Sequence, residues 1–188
     1  MLNRRRFLTL SSLSGLLPSL SFQRALAGQR PPNVRPVVLS TWKQPKANAA
    51  AQAVLDRGGR ALEAVEAGVR VPEADPDDTS VGYGGLPDRD GRVTLDACIM
   101  DEKGNAGSVT FLEQIMHPIS VARAVMEKSP HVMLSGEGAL AFALAQGFKK
   151  ENLLTKSSEA AWREWLKTAQ YKPIINIERH DTIGMLAM

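Results

Sequence analysis

Six residues near the end of the chain, His180-Asp181-Thr182-Ile183-Gly184-Met185, hold the residue types from which a peptide can cut itself and then act as its own catalyst. A threonine hydroxyl is a weak nucleophile at neutral pH and needs a base to take its proton. A free α-amino group on the same residue can be that base, because it titrates at about 7.7–8.0 and is partly unprotonated near neutrality. While Thr182 is internal its nitrogen is an amide and cannot serve, so breakage of the Asp181–Thr182 bond would be the activating step. No separate triad is required. Taken alone, the same letters also fit a turn begun by Asp181 and a strand opened by Thr182.

Other segments bear on that choice. In chain order they are Ser40-Thr41-Trp42, Asp56-Arg57-Gly58-Gly59-Arg60-Ala61-Leu62-Glu63-Ala64-Val65-Glu66-Ala67-Gly68-Val69, Glu73-Ala74-Asp75-Pro76 and Ser80-Val81-Gly82-Tyr83-Gly84-Gly85-Leu86-Pro87. Then come Leu95-Asp96-Ala97-Cys98-Ile99-Met100-Asp101, Pro118-Ile119-Ser120-Val121-Ala122-Arg123 and Pro130-His131-Val132-Met133-Leu134. In this order, ending in the Thr182 segment, they strongly resemble the glycosylasparaginases, also called aspartylglucosaminidases. The resemblance covers about residues 36 to 188, the family's α-subunit and the first residues of its β-subunit.

The resemblance implies an α/β fold, the four-layer αββα sandwich of N-terminal nucleophile hydrolases, here an incomplete half. It implies Thr182 as the catalytic nucleophile and Asp181 and Thr182 as the pair that autoproteolysis separates, Asp181 assisting through its carboxylate. Trp42 resembles the tryptophan that lines the substrate pocket. Asp78 and Ser80 would pack near the cleavage site and support it, or else be ordinary loop residues that satisfy their own backbone. The substrate implied is a glycosylated asparagine, or a related small amide, with no cofactor and no metal. Plant-type asparaginases usually carry Gly-Thr-Val-Gly at the cut, which disfavours that branch; a non-catalytic secreted remnant is the third reading. Because the chain ends soon after Thr182, most of the β-subunit is expected to be missing, and with it the oxyanion donors and substrate clamps. Such donors supply much of acyl-transfer catalysis, so a chain of this extent is expected neither to cut itself nor to hydrolyse substrate alone. It should expose apolar strand edges. The complete enzyme could form a homo-oligomer.

Composition narrows the class. With 44% hydrophobic and 23% charged residues in 188, usage is that of an ordinary globular domain. The formal net charge of +3 is misleading, because residues 1–27 hold Arg4, Arg5, Arg6 and Arg24 and no acid, leaving residues 28–188 about one charge negative. A nucleic-acid partner is therefore unsupported. Residues 1–27 read as a twin-arginine export signal: Arg4-Arg5-Arg6-Phe7-Leu8, an apolar run from Leu8 to Leu20 too short to span a bilayer, and a small-residue cut at Ala25-Leu26-Ala27. A periplasmic or secreted protein without membrane attachment is expected. Its single cysteine, Cys98, excludes an internal disulfide and is expected to be a buried thiol.

The elements that must position these residues follow from periodicity. Pro36 to Leu39 predicts a strand delivering Ser40-Thr41-Trp42. Helices are predicted over Ala47–Leu55, stopped by Gly58-Gly59, and over Ala61–Val71, stopped before Pro72. Asp75 to Gly91 is loop, with Gly82-Tyr83-Gly84-Gly85 as tight-turn glycines. Residues 92–100 and 105–112 predict a hairpin around Asp101-Glu102-Lys103-Gly104-Asn105. Ile119, Ala122, Val125 and Met126 make one helical face, and Ala139–Ala145 predicts a helix buried nearly all round. Ser157 or Ser158 is a candidate cap for a helix whose Ala161, Trp162, Trp165, Leu166 and Ala169 would face the core. Tyr171 to Arg179, with Pro173, reads as a linker into the 181–182 cleavage site. His117, His131 and His180 are too scattered for a metal site.

Overall fold

A computed structural model describes residues 35–169 and 182–188. The signal at 1–27, the linker at 171–179, His180 and Asp181 lie outside the described residues. The fold is mixed α/β.

Strand β1 (Val38–Ser40) leads into helices α1 (Pro45–Asp56) and α2 (Ala61–Glu73). Pro45 stands in the first turn of α1, where its missing N–H would have had no helical partner in any case. Ala47, Ala51 and Leu55, spaced by four, form the buried stripe. The helix closes at Gly58, which has φ +76°. Glu63 Oε2 accepts the Arg60 N–H at 3.1 Å and starts α2. The predicted stop before Pro72 is corrected: α2 runs to Glu73 and includes Pro72. The proline sits in the last turn and is buried by packing, and Ala74 N–H closes the end on the Arg70 and Val71 carbonyls.

The predicted hairpin is present as β2 (Thr94–Met100) and β3 (Ala106–Glu113), antiparallel, with Gly104 at φ +82° in the turn. A crossover through helix α3 (Pro118–Lys128) brings β4 (Met133–Ser135) parallel to β3, as a parallel neighbour requires. Gly107 on β3 lets this sheet rest on the α3 backbone: a Cβ there would lie 2.2 Å from the Ala122 carbonyl oxygen. Strand β5 (Met185–Ala187) pairs antiparallel with β1 in a second, two-stranded sheet. The main core joins Leu62 and Val69 of α2, Ile99 and Val109 of the hairpin and Ile119, Val121, Ala122 and Val125 of α3. A smaller cluster of Ala51, Leu55 and Ala64 packs beneath Val38, Met185 and Ala187 of β1 and β5.

Several expectations are overturned, and on the sheets the reason is that helices cover one face and leave apolar groups exposed on the other. Cys98 is exposed. Strand period places it on the face of Asp96 and Met100, while Leu95 and Ile99 are buried. Helix α4 (Gly136–Ala145) buries only Ala139 and Ala143, and Leu144 is exposed. Helix α5 (Lys156–Leu166) is capped by Thr155, whose hydroxyl accepts the Ser158 N–H at 3.1 Å. Ser158 is buried and donates instead to the Gly84 carbonyl. Neither tryptophan is core. Trp162 lies on Gly91 and donates to the Arg89 carbonyl at 3.2 Å, and Trp165 is 45% exposed. Helix α5 covers the loop before β2, touching it through Ser158 at Gly84 and Trp162 at Arg89 and Gly91.

Glu73, 2% exposed, fastens the end of α2 to the start of α3. Oε1 accepts the Ile119 N–H at 3.1 Å and Oε2 lies 3.1 Å from His117 Nδ1. Burial raises its carboxyl above the ordinary 4.5, outweighing these two partners, which favour the anion. The folded chain therefore holds this proton more tightly than the unfolded chain. Its contribution to stability is full below about pH 4.5 and is lost as pH rises through the higher folded value. Glu73→Gln keeps an acceptor for Ile119 without the charge. Urea midpoints measured from pH 4 upward should show the wild type losing ground to the variant above the ordinary carboxyl range; parallel curves would contradict this.

Candidate active site

The site is built where β1 and β5 end together. Val38 pairs with Ala187, Leu39 with Leu186 and Ser40 with Met185. Backbone bonds extend the ladder at both ends: Val37 and Met188 exchange N–H and carbonyl, at 2.9 and 3.0 Å, and Thr41 N–H donates to the Gly184 carbonyl at 2.9 Å. Gly184 N–H then turns to the Thr41 side chain, donating to Oγ1 at 2.9 Å. Thr41 thus holds Gly184 from two sides. Thr182 lies two residues before Gly184 and Trp42 one residue after Thr41, so both emerge from the same end of the ribbon.

The ribbon is anchored from below. Met185 enters a notch in α2 made by Gly68, where a Cβ would fall 2.4 Å from Sδ and 3.0 Å from the Ala47 carbonyl oxygen of α1. Ile183 packs against the main core. Thr182 itself is exposed.

Trp42 has φ +61°. That region is unfavourable for a bulky side chain and persists only where the surroundings impose it. Its indole is 51% exposed, so a buried core role at the end of the first strand is ruled out.

Asp78 and Ser80 form the third part. Asp78 Oδ1 accepts both the Ser80 N–H, at 2.9 Å, and the Ser80 hydroxyl. Asp78 Oδ2 accepts the Gln44 side-chain amide at 3.2 Å. The glycines that follow are required. Gly82 has φ +60° and a Cβ there would sit 2.1 Å from the Glu73 carbonyl oxygen; Gly84 has φ +100° and would strike Pro76. Tyr83 N–H donates to Glu73 O at 2.7 Å and fixes the turn on the end of α2.

The structure thus brings the Thr182 strand to the Trp42 strand and the Asp78–Ser80 turn to Gln44, two residues from Trp42. The described hydrogen bonds of the Asp78 and Ser80 side chains go to this turn and to Gln44, and Asp78 N–H donates to the Asp75 carbonyl at 3.2 Å. Asp181 lies outside the described residues. Sequence reading missed Thr41 and Gln44 as fasteners, although Thr41 stood inside a quoted motif. Among the described residues no group of three His, Cys, Asp or Glu side chains is placed to hold a metal ion.

Residues 29–187 match the asparaginase family. The chain belongs to that family. It is 70% identical over 155 residues to the N(4)-(Beta-N-acetylglucosaminyl)-L-asparaginase of Elizabethkingia miricola, covering 82% of this chain and 46% of that protein. To the protein of the same name from Mus musculus it is 37% identical over 185 residues, covering 81% and 54%. To that of Rattus norvegicus it is 36% identical over 187 residues, covering 83% and 54%. The chain spans about half the length of these curated relatives. Their names agree with the resemblance to glycosylasparaginases drawn from the ordered motifs.

Gly68→Ala tests the anchor. A helix interior ordinarily gains about 1 kcal/mol from this change. Here the new methyl would collide with Met185 and the α1 backbone, and overpacking of this kind costs about 1–3 kcal/mol. Denaturant titration should show net destabilisation, with amide exchange at residues 184–188 accelerated more than in α3. A more stable variant would contradict the close packing.

Proposed function

We propose that this chain carries the nucleophile-bearing part of an amidohydrolase that cleaves the side-chain amide of glycosylated asparagine, and that Thr182 acts twice. In the first reaction its hydroxyl attacks the Asp181 carbonyl carbon. The C–O bond forms, the Asp181–Thr182 C–N bond breaks and the hydroxyl proton passes to the departing nitrogen, giving an ester and a free amine. Asp181 assists through its carboxylate. Water hydrolyses the ester and returns the Thr182 hydroxyl beside its own unblocked amine.

In the second reaction the amine takes the hydroxyl proton as oxygen attacks the substrate amide carbon. The amide C–N bond breaks, the nitrogen leaves protonated with its sugar, and a β-aspartyl ester of Thr182 remains. Water then releases aspartate. Trp42 lines the pocket. No cofactor enters any step.

The observation that carries the reading is the clamp of Thr41 on Gly184, which sets an exposed Thr182 at the same ribbon end as a strained, exposed Trp42. The 70% identity to a named glycosylasparaginase supports the substrate class. The bare outer sheet faces support a four-layer αββα sandwich, in which a further pair of layers covers Leu39, Leu186 and Met133, each more than half exposed. The relatives are about twice as long, which leaves chain enough for such layers. The export signal read at residues 1–27 supports a periplasmic or secreted location.

Intact-mass analysis and an assay of aminosugar release test this together. The assay is run on the chain alone and with a separately expressed polypeptide corresponding to the remaining length of the relatives. We expect loss of residues 1–27 on export and, with the second polypeptide present, a cut before Thr182 and release of aminosugar and aspartate, while the chain alone should give neither cut nor release. Thr182→Ala should abolish both the cut and the release, by on the order of 10⁴-fold or more. Thr182→Ser should retain part of each. Undiminished hydrolysis by the alanine variant would overturn the proposal, and release of ammonia from free asparagine alone would favour a plant-type asparaginase.

A further inference from the structure

We infer that Gln44 is a positioning residue of this site: its side-chain amide ties the Trp42 turn to the Asp78–Ser80 turn and so sets both against the strand that carries Thr182. The inference rests on the proposed roles of Trp42, Ser80 and Thr182, but its physical core is independent of them.

Gln44 occupies the N-cap of α1, a position that favours Ser, Thr, Asp or Asn because their short side chains reach back to the first free N–H groups. Here the side chain makes no cap bond. Its donor crosses 34 residues to Asp78 Oδ2 instead. A local rule is broken, and the bond gained lies at the site. The Gln44 backbone is fully engaged as well: its N–H donates to the Trp42 carbonyl at 3.1 Å and its carbonyl accepts the Asn48 N–H at 3.0 Å.

Trp42 is thereby held from both directions. On one side Thr41 is locked to Gly184 through two bonds. On the other side Gln44 is locked to α1 and to Asp78. A positive φ at tryptophan needs such over-determination, since nothing in the residue itself favours it. The Asp78 carboxylate that receives Gln44 also receives both Ser80 donors, so displacement of Gln44 is transmitted to Ser80 through a single rigid group.

Reversal of the bond's polarity tests this. Gln44→Glu places a carboxylate against Asp78 and should break the tie. Gln44→Glu combined with Asp78→Asn restores it with the amide now donating from position 78, while the asparagine oxygen still accepts from Ser80. Hydrogen exchange of the full chain, followed by mass spectrometry, should show peptides covering residues 41–47 and 78–85 exchanging at least about fivefold faster in the single variant, with α3 unchanged. The double variant should return within about twofold of wild type. Gln44→Met, of similar length but without a donor, should behave like the single glutamate variant.

The inference is overturned if either segment keeps its wild-type exchange in both single variants, if α3 loosens equally, or if the double variant stays as fast as Gln44→Glu. With the separately expressed remaining polypeptide present, the rate of the Thr182-dependent cut should follow the same order, slowed about tenfold in Gln44→Glu and recovered in the double variant; a cut rate indifferent to the exchange result would overturn the positioning role. Absence of any cut in the wild type under those conditions would fault the proposed reaction instead, and the exchange comparison would still decide the tie.

Discussion

The antiparallel ladder between residues 37–41 and 184–188 is the constraint on which the rest of the structure depends. A two-stranded ribbon is marginal by itself in water. Here it gains its stability from below, where Met185 fills the Gly68 notch and Val38 and Ala187 lie on the α1–α2 pair. The chain is thus closed on itself across almost its whole described length. That closure gives Thr182 a defined place relative to residues more than a hundred positions earlier.

The helices explain why this arrangement is firm on one side and open on the other. Helices α2 and α3 support both sheets from one face through a shared core, and Glu73 joins the two helices at a corner that also receives the Tyr83 turn. Chemistry-bearing residues sit at the ends of strands and in turns, on backbone that this layer immobilises. The opposite sheet faces carry Leu39, Leu186, Met100 and Met133 into solvent. Large apolar side chains gathered on exposed sheet faces mark candidate contact faces.

Much of the fold was legible because periodicity reports local geometry. The stripe Ala47, Ala51 and Leu55, the Gly58 stop and the Asp101–Asn105 turn all follow from spacing and residue type. What failed was the inference from apolar to buried. Cys98, Trp165 and Leu144 are apolar groups in regular elements, but burial depends on what lies opposite, which no local pattern encodes. Pro72 and the Thr155 cap were misread by a few residues, where packing and one hydroxyl decided the boundary. At the site, the roles read for Thr182 and Trp42 come from the order of motifs, and the ribbon sets their two segments at one end. Thr41 and Gln44 act across 143 and 34 residues, by hydrogen bonds that leave no spacing signature.

Disulfide trapping of the β1–β5 register is the most direct measurement. With Cys98→Ser removing the native thiol, Leu39→Cys and Leu186→Cys occupy directly opposed positions on the exposed face. Opposed residues of an antiparallel pair have Cα atoms about 4.5–5.5 Å apart, within the range that a disulfide spans. The account predicts that this pair oxidises readily, whereas Leu39→Cys with Met188→Cys, two residues out of register, does not. Preferential closure of the second pair, or failure of the first to close in a folded protein, would contradict the placement of Thr182 at the same ribbon end as Trp42.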